Sequence, residues 1–252
     1  VIAHLGMYDR PETAAANDRF WTAIKTQLGY GPDSLTRGLA DYWPVWNSPD
    51  LLFSQTCGMP YRTRLHGNVQ LIGTPDYGLD SCPPGYYRSI LVARADAADT
   101  SLAAFDGLRM AYNDDLSQSG WAAPMTHLQS QGLRPGSLVQ SGGHAASARA
   151  VAEGRADFAA LDALTWEMLK TYDRFTDALT VIAQTEPTPT LPFITALGRN
   201  AAEIADAIDI AIRALEPKDR ALLHLKGLVR IPAQDYLAIP TPPSPADLIP
   251  AA

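Results

Sequence analysis

Short apolar runs alternate with stretches of helical spacing along the chain, a pattern that predicts an α/β protein. Residues 2–5 read as a strand running into Gly6-Met7-Tyr8-Asp9. Pro11 then opens a helical region to about residue 28, in which Phe20, Trp21, Ile24 and Leu28 share one face. Compact apolar runs at 51–54 and 69–73 predict two more strands. Their ends enter Gln55-Thr56-Cys57-Gly58 and Thr74-Pro75-Asp76-Tyr77. A further strand is expected at 87–93. The alternation then repeats: strand 109–112, helix 117–128, strand 138–140, helix 145–152, and strands at 158–161 and 179–183. Towards the end Ile204, Ile208 and Ile212 recur at helical spacing, and Leu222, Leu225 and Leu228 suit a second helix facing a core. Pro232 and the proline-rich stretch after Ile239 predict a cap or wrapping tail, not another strand.

At 252 residues the chain exceeds the usual size of one compact domain, so two α/β units are expected rather than a sandwich or bundle. The expected division is 1–89 with 184–252 as a discontinuous first lobe, and 90–183 as the second. In such a chain, loops at strand C-termini converge on a cleft between lobes. Rotation about crossings near residues 90 and 182 would close that cleft to the extent that a ligand binds the closed form better.

Composition narrows the partners. About 46% of residues are apolar, enough for substantial cores, and the net charge is −7 from 27 acidic and 20 Lys or Arg residues. The densest basic stretch, Tyr61-Arg62-Thr63-Arg64, holds only two positive charges, which argues against nucleic acid. An acidic chain still binds an anion where local donors converge. No apolar run reaches the roughly 18 residues of a membrane span. The chain starts at Val1 without a basic, apolar leader, as a mature or a trimmed protein would. The five histidines, His4, His66, His127, His144 and His224, show no metal-ligand spacing, so neither metal nor cofactor is expected. Cys57 and Cys82 stand 25 positions apart, each beside loop residues. They form either one disulfide, suited to an oxidising compartment, or two reduced structural thiols.

Three segments of the second lobe combine a strand end with a helix start. Asn113-Asp114-Asp115-Leu116-Ser117-Gln118-Ser119-Gly120 offers the hydroxyls of Ser117 and Ser119 and first-turn amides near Gln118, a cradle for oxyanion oxygens. The competing reading is that Asp115 or Ser117 simply caps the helix. Gln140-Ser141-Gly142-Gly143-His144 allows close backbone approach and brings an imidazole, which serves equally as a helix-start histidine. Asp162 follows the apolar run 158–161, where it would orient an amine, an alcohol or a protonated oxygen, or else cap the next helix. In the first lobe Tyr8, Gln55, Thr56, Tyr61 and Tyr77 are candidates to meet an organic ligand, and each suits a packing role as well. In Tyr86-Tyr87-Arg88-Ser89 one aromatic closes the pocket and the other packs beneath it.

These segments resemble the phosphonate-type periplasmic substrate-binding family of ABC importers. The resemblance spans about residues 2–200. It is carried by Gln55-Thr56-Cys57-Gly58-Met59-Pro60-Tyr61, by Tyr87-Arg88-Ser89-Ile90-Leu91-Val92, and by the order of the three second-lobe motifs. It implies a two-lobed periplasmic-binding-protein fold of class 2, non-catalytic ligand capture, a monomer outside the cytoplasm and an ABC importer permease as partner. It further implies that Ser117, Ser119 and His144 hold the phosphoryl group. Tyr8 and Tyr87 would act as lid aromatics, and Asp162 would occupy an acidic ligand-facing position. Gln118 stands where a threonine often donates a hydroxyl, a departure that leaves an amide donor. Two other readings compete. A ligand-sensing regulatory domain would use the same closure, and a thiol enzyme would pair Cys57 with His66 or His144.

Overall fold

Residues 1–248 are described by a computed structural model, in which strands and helices build two units. The first holds Val1–Tyr86 and Pro189–Ala238, and the second holds Tyr87–Thr188 with residues 239–248. In chain order the strands are β1 (Ile2–His4), β2 (Leu51–Gln55), β3 (Val69–Asp76), β4 (Tyr86–Tyr87), β5 (Ser89–Arg94) and β6 (Arg109–Tyr112). They continue as β7 (Ser137–Gln140), β8 (Phe158–Asp162), β9 (Leu179–Gln184), β10 (Thr188–Pro189), β11 (Phe193–Ala196) and β12 (Gly227–Val229). No helix among the described residues is long and apolar enough to cross a membrane.

The sheet of the first unit runs β1-β2-β11-β3-β12. β1 and β2 are parallel, and β11 lies antiparallel to both β2 and β3. Every residue of β2 and β11 is buried, so both strands read as continuous runs instead of alternating ones. Phe53 on β2 stacks with Trp21 at 6.0 Å and meets Phe20 and Phe193 at 6.5 and 5.0 Å. The helix that supplies Phe20 and Trp21, Ala14–Leu28, starts later than the pattern suggests because residues 11–13 form a turn closed by Ala14 N–H to Arg10 O. It ends at Gly29, whose φ of 75° is the left-handed value a helix C-cap needs. Against it packs the helix Ala201–Ala214, with Ile204, Ile208 and Ile212 all buried as their spacing predicts.

The leucine spacing further on spans a helix stop. The helix Pro217–Leu222 closes on His224, which has a φ of 54°. There His224 N–H donates to Ala221 O at 3.2 Å and Leu225 N–H to Arg220 O at 3.0 Å, the paired bonds of a Schellman turn. Leu228 therefore lies in β12, antiparallel to β3, and not on a helix.

The second sheet runs β7-β6-β8-β5-β9, with β6 parallel to β7 and β8, and β5 antiparallel to β8 and β9. In each unit the first long strand after a crossing, β5 or β11, runs antiparallel to both of its neighbours. Two expected boundaries shift. β9 is an edge strand of the second sheet and does not return to the first unit, and the return falls between Thr188 and Pro189. Residues 239–248, expected in the first lobe, group with the second unit. The cause is visible at Trp121. Its buried indole needs an acceptor, and Nε1–H donates to Pro243 O at 3.1 Å, a carbonyl that no strand ladder uses. Pro245 is buried, and Leu248 lines a hollow with Met125 and Leu133.

The two cysteines are not joined. Cys57 is buried at the end of β2, where it precedes the short helix Gly58–Pro60. Cys82 is half-buried in a separate turn closed by its N–H to Leu79 O at 3.2 Å. Of the two arrangements open from sequence, the structure has reduced thiols.

Candidate functional site

Parallel pairing makes β6, β7 and β8 end at one edge of the second sheet. The register sets Tyr112 beside Gln140 and Ala111 beside Ala159. Pairing continues into the loops: Ser141 N–H donates to Tyr112 O at 2.8 Å, and Gly142 N–H to Asn113 O at 3.0 Å. Gly142, with a φ of 83°, then takes a left-handed turn that a side chain would strain, and the chain enters the helix His144–Ala152. This zipper brings His144 to the helix that follows β6.

That helix begins with a wide turn at Gln118–Ala122 and continues as Ala123–Ser130, in place of the uniform helix expected over 117–128. Ser117 caps it: Oγ accepts Gly120 N–H at 2.9 Å, and its carbonyl accepts the N–H groups of Trp121 and Ala122. Ser117, Gln118 and Ser119 are all buried. Ser119 Oγ lies 3.0 Å from His144 Nε2. The two acids of the loop are engaged locally, Asp114 accepting Leu116 N–H at 2.8 Å and Asp115 accepting Gln140 Nε2–H at 3.2 Å.

Burial lowers the His144 pKa to about 4, against a small opposing effect of the Ala160 backbone, so the ring is neutral at pH 7. Its enclosed Nδ1 makes no well-formed hydrogen bond among the described residues, the Ala160 backbone being only loosely placed for one. The neutral ring carries one proton, and the Ser119 bond is the one in which either partner donates. A folded pKa below the ordinary 6.5 means that the unfolded chain binds the extra proton first. Stability from this group is therefore complete above pH 6.5 and is lost as pH falls towards about 4. Thermal unfolding should fall more steeply through that window in the wild type than in His144→Asn. Parallel profiles would show that His144 is not held neutral by the fold.

Asp162, at the end of β8, is buried and its Oδ1 accepts Thr165 N–H at 2.9 Å, capping the helix Ala163–Tyr172. The capping reading is thus the one seen. Asp162→Ala should cost about 1 kcal/mol through the lost cap, while Asp162→Asn, which keeps an acceptor, should cost a few tenths at most by chemical denaturation. Equal losses would deny the cap. Opposite Asp162 in register lies Ser89, whose buried Oγ has no partner among the described residues.

In the first unit, Gln55 is buried and both protons of its carboxamide are committed, to Tyr77 OH at 2.8 Å and Leu191 O at 3.0 Å. These bonds fix the Leu191 segment and leave Oε1 as the group a ligand could meet. Tyr61 packs in the core, edge-on to Tyr236 and His66 at 5.3 and 5.9 Å. Thr56 is fully buried, with an Oγ1 that lacks a partner among the described residues. Tyr8 is half-buried and edge-on to Tyr77 at 5.4 Å. Tyr87, in β4, is buried. The residues the structure unites are thus Ser117, Gln118, Ser119 and His144, all in the second unit. Asn113 and Ser89 were overlooked as individual candidates, although both stand inside motifs legible in the sequence. Among the described residues no group of three or more His, Cys, Asp or Glu could hold a metal.

Residues 51–236 match the family described as ABC transporter, phosphonate, periplasmic substrate-binding protein. The chain belongs to that family. No curated protein matches the sequence. Among solved structures, the binding component of an ABC phosphonate transporter from Pseudomonas aeruginosa is similar at 16% identity and a TM-score of 0.70, over 94% of this chain and 83% of that one. PhnD1 from Prochlorococcus marinus, solved with methylphosphonate, is similar at 16% identity and a TM-score of 0.68, over 93% and 94%. A histidine kinase sensor domain similar to periplasmic binding proteins follows at 16% identity and a TM-score of 0.60, over 92% and 98%. These likenesses show the two-lobed α/β fold of periplasmic binding proteins. The phosphonate family is one of non-catalytic substrate-binding proteins of ABC importers, with an extracytoplasmic place of work. Its function is ligand capture for import.

Proposed function

We propose that this phosphonate-family protein holds a small oxyanion through the second unit, with Ser117, Gln118, Ser119 and His144 as its anchor, and delivers it to an ABC importer permease in the periplasm. The observation that carries this reading is the contact of Ser119 Oγ with His144 Nε2 at 3.0 Å, made where two separate loops leave parallel strands. Such a pair at a helix start supplies short, oriented donors in a setting poor in water, where hydrogen bonds to a charge are strong. A neutral imidazole fits the task, since it donates one proton without adding a buried charge. Asp162 and Ser89, one and two strands further across the sheet, would meet a ligand group other than the anion.

The cysteine-enzyme reading has less behind it: His66, one of its two candidate bases, packs edge-on against the Tyr61 ring at 5.9 Å. Native mass spectrometry of gently purified protein tests the capture reading. A single small anion retained at one per chain, released unchanged on denaturation, is the expected result. Release of a chemically altered product would overturn it.

A further inference from the structure

Asn113, the first residue after β6, has a carboxamide whose two ends lie in different surroundings. Its Oδ1 is enclosed and has no hydrogen-bond partner among the described residues. A methyl group on Gly120 would fall 1.8 Å from that oxygen and 2.8 Å from Asn113 Cγ, and 3.1 Å from Ser117 Oγ. The oxygen end is therefore seated against the bare α-carbon of the first helical turn, level with the capping hydroxyl. Gly120 is not among the left-handed glycines, so position 120 demands space and not an unusual backbone. The backbone of Asn113 is held as well, because its carbonyl accepts Gly142 N–H at 3.0 Å. Nδ2, in contrast, is not enclosed and bonds to none of the described residues. An enclosed acceptor without a partner is costly, and folding tolerates it where the other end of the amide has work to do.

The geometry points to Asn113 as a further ligand-binding residue that donates Nδ2–H to the oxyanion, an inference resting on the anchor proposed above. Its wedge against Gly120 orients that donor in advance, so little rotamer freedom is lost when the anion arrives. The same wedge gives position 120 a ligand-binding role at second hand: a side chain there would displace the carboxamide. The opposite orientation of the amide would turn an acceptor towards the ligand, which would disfavour a bare oxyanion.

Titration calorimetry with methylphosphonate and with inorganic phosphate tests this on wild type, Asn113→Ala, Asn113→Asp, Gly120→Ala, the double alanine variant and Ser119→Ala, with ligand-free thermal unfolding run alongside. Asn113→Ala should weaken binding about tenfold, the scale of one hydrogen bond to a charged group. Asn113→Asp should weaken it further by repulsion between like charges. Gly120→Ala should lose about as much as Asn113→Ala, and the double variant no more than either, because both remove the same donor. If Asn113→Ala binds as the wild type does while Ser119→Ala binds weakly, the anchor stands and the role of Asn113 is refuted. Retained affinity in Asn113→Asp would also refute the donor role. If neither probe binds the wild type, the anchor and the inference fall together.

Discussion

Replacing Trp121 with alanine should destabilise the protein by about 3–5 kcal/mol, the largest loss expected of a single substitution here. The indole is fully buried, packs against the Tyr112 ring at 5.3 Å and stands in the same wide turn as Ser119. Its removal opens a cavity beneath the proposed anchor and frees the Pro243 carbonyl. Two changes separate packing from hydrogen bonding. Trp121→Phe keeps most of the apolar contact and loses the donor. A chain ending at Ala238 keeps the indole and loses its acceptor, which leaves a buried N–H unpaired at a cost of about 1–3 kcal/mol. Because the chain folds as two units, unfolding should be followed by near-ultraviolet dichroism and by scanning calorimetry, to find whether one transition moves or both. Unchanged transitions in both Trp121→Phe and the shortened chain would mean that residues 239–248 do not belong to the second unit's core.

The pattern of apolar positions revealed most of the second unit. Its strands fall close to the expected runs, since β6, β7 and β8 are bounded by loops rich in Gly, Asp and Ser, which mark ends clearly. The first unit was harder to read for a physical reason. β11 has only four residues, all buried, so it shows neither the period of two nor a helical spacing, and prolines flank it on one side. Its partners β2 and β3 are distant in sequence, and only the folded chain reveals that a strand must fill the gap between them. The C-terminal tail was misplaced for a related reason. Its attachment is made by one indole hydrogen bond and a few apolar contacts, none of which leaves a periodic trace.

At the site, the types of residue were legible and their partners were not. Ser117 and Asp162 are each preceded by a strand and followed by a helix, so capping and ligand binding require the same residue in the same place, and both residues do cap. The meeting of Ser119 with His144 depends on β6 and β7 being adjacent and parallel, with Tyr112 level with Gln140. Had the register slipped by one residue, every side chain on the strand would have changed face. Gln55 and Tyr61 show the same double use. Polar and aromatic tips suggest a ligand, yet the fold uses the first to hold Leu191 and the second to fill a core. Only hydrogen-bond partners distinguish such residues from a true contact.

Ser119→Ala should raise the dissociation constant for a small oxyanion by roughly 10- to 150-fold, equivalent to about 1.5–3 kcal/mol for a lost hydrogen bond to a charge. The magnitude follows from what the hydroxyl connects. With His144 neutral, Nε2–H can donate to Ser119 Oγ while the hydroxyl hydrogen turns to the anion, so each bond polarises the next. Alanine removes the link and also leaves Nε2 without its partner. Ser119→Cys keeps the shape but supplies a weak donor, so its affinity should fall nearly as far. Ser119→Thr keeps the hydroxyl and should recover most of the loss if the added methyl fits. Calorimetry with methylphosphonate, run at pH 7 and again near pH 5, separates this from general damage. An anion beside His144 raises its pKa in the complex, so wild-type binding should take up protons and tighten as pH falls. In Ser119→Ala that pH dependence should shrink together with the affinity. Equal affinity and an unchanged proton uptake in the variant would mean that Ser119 does not touch the anion.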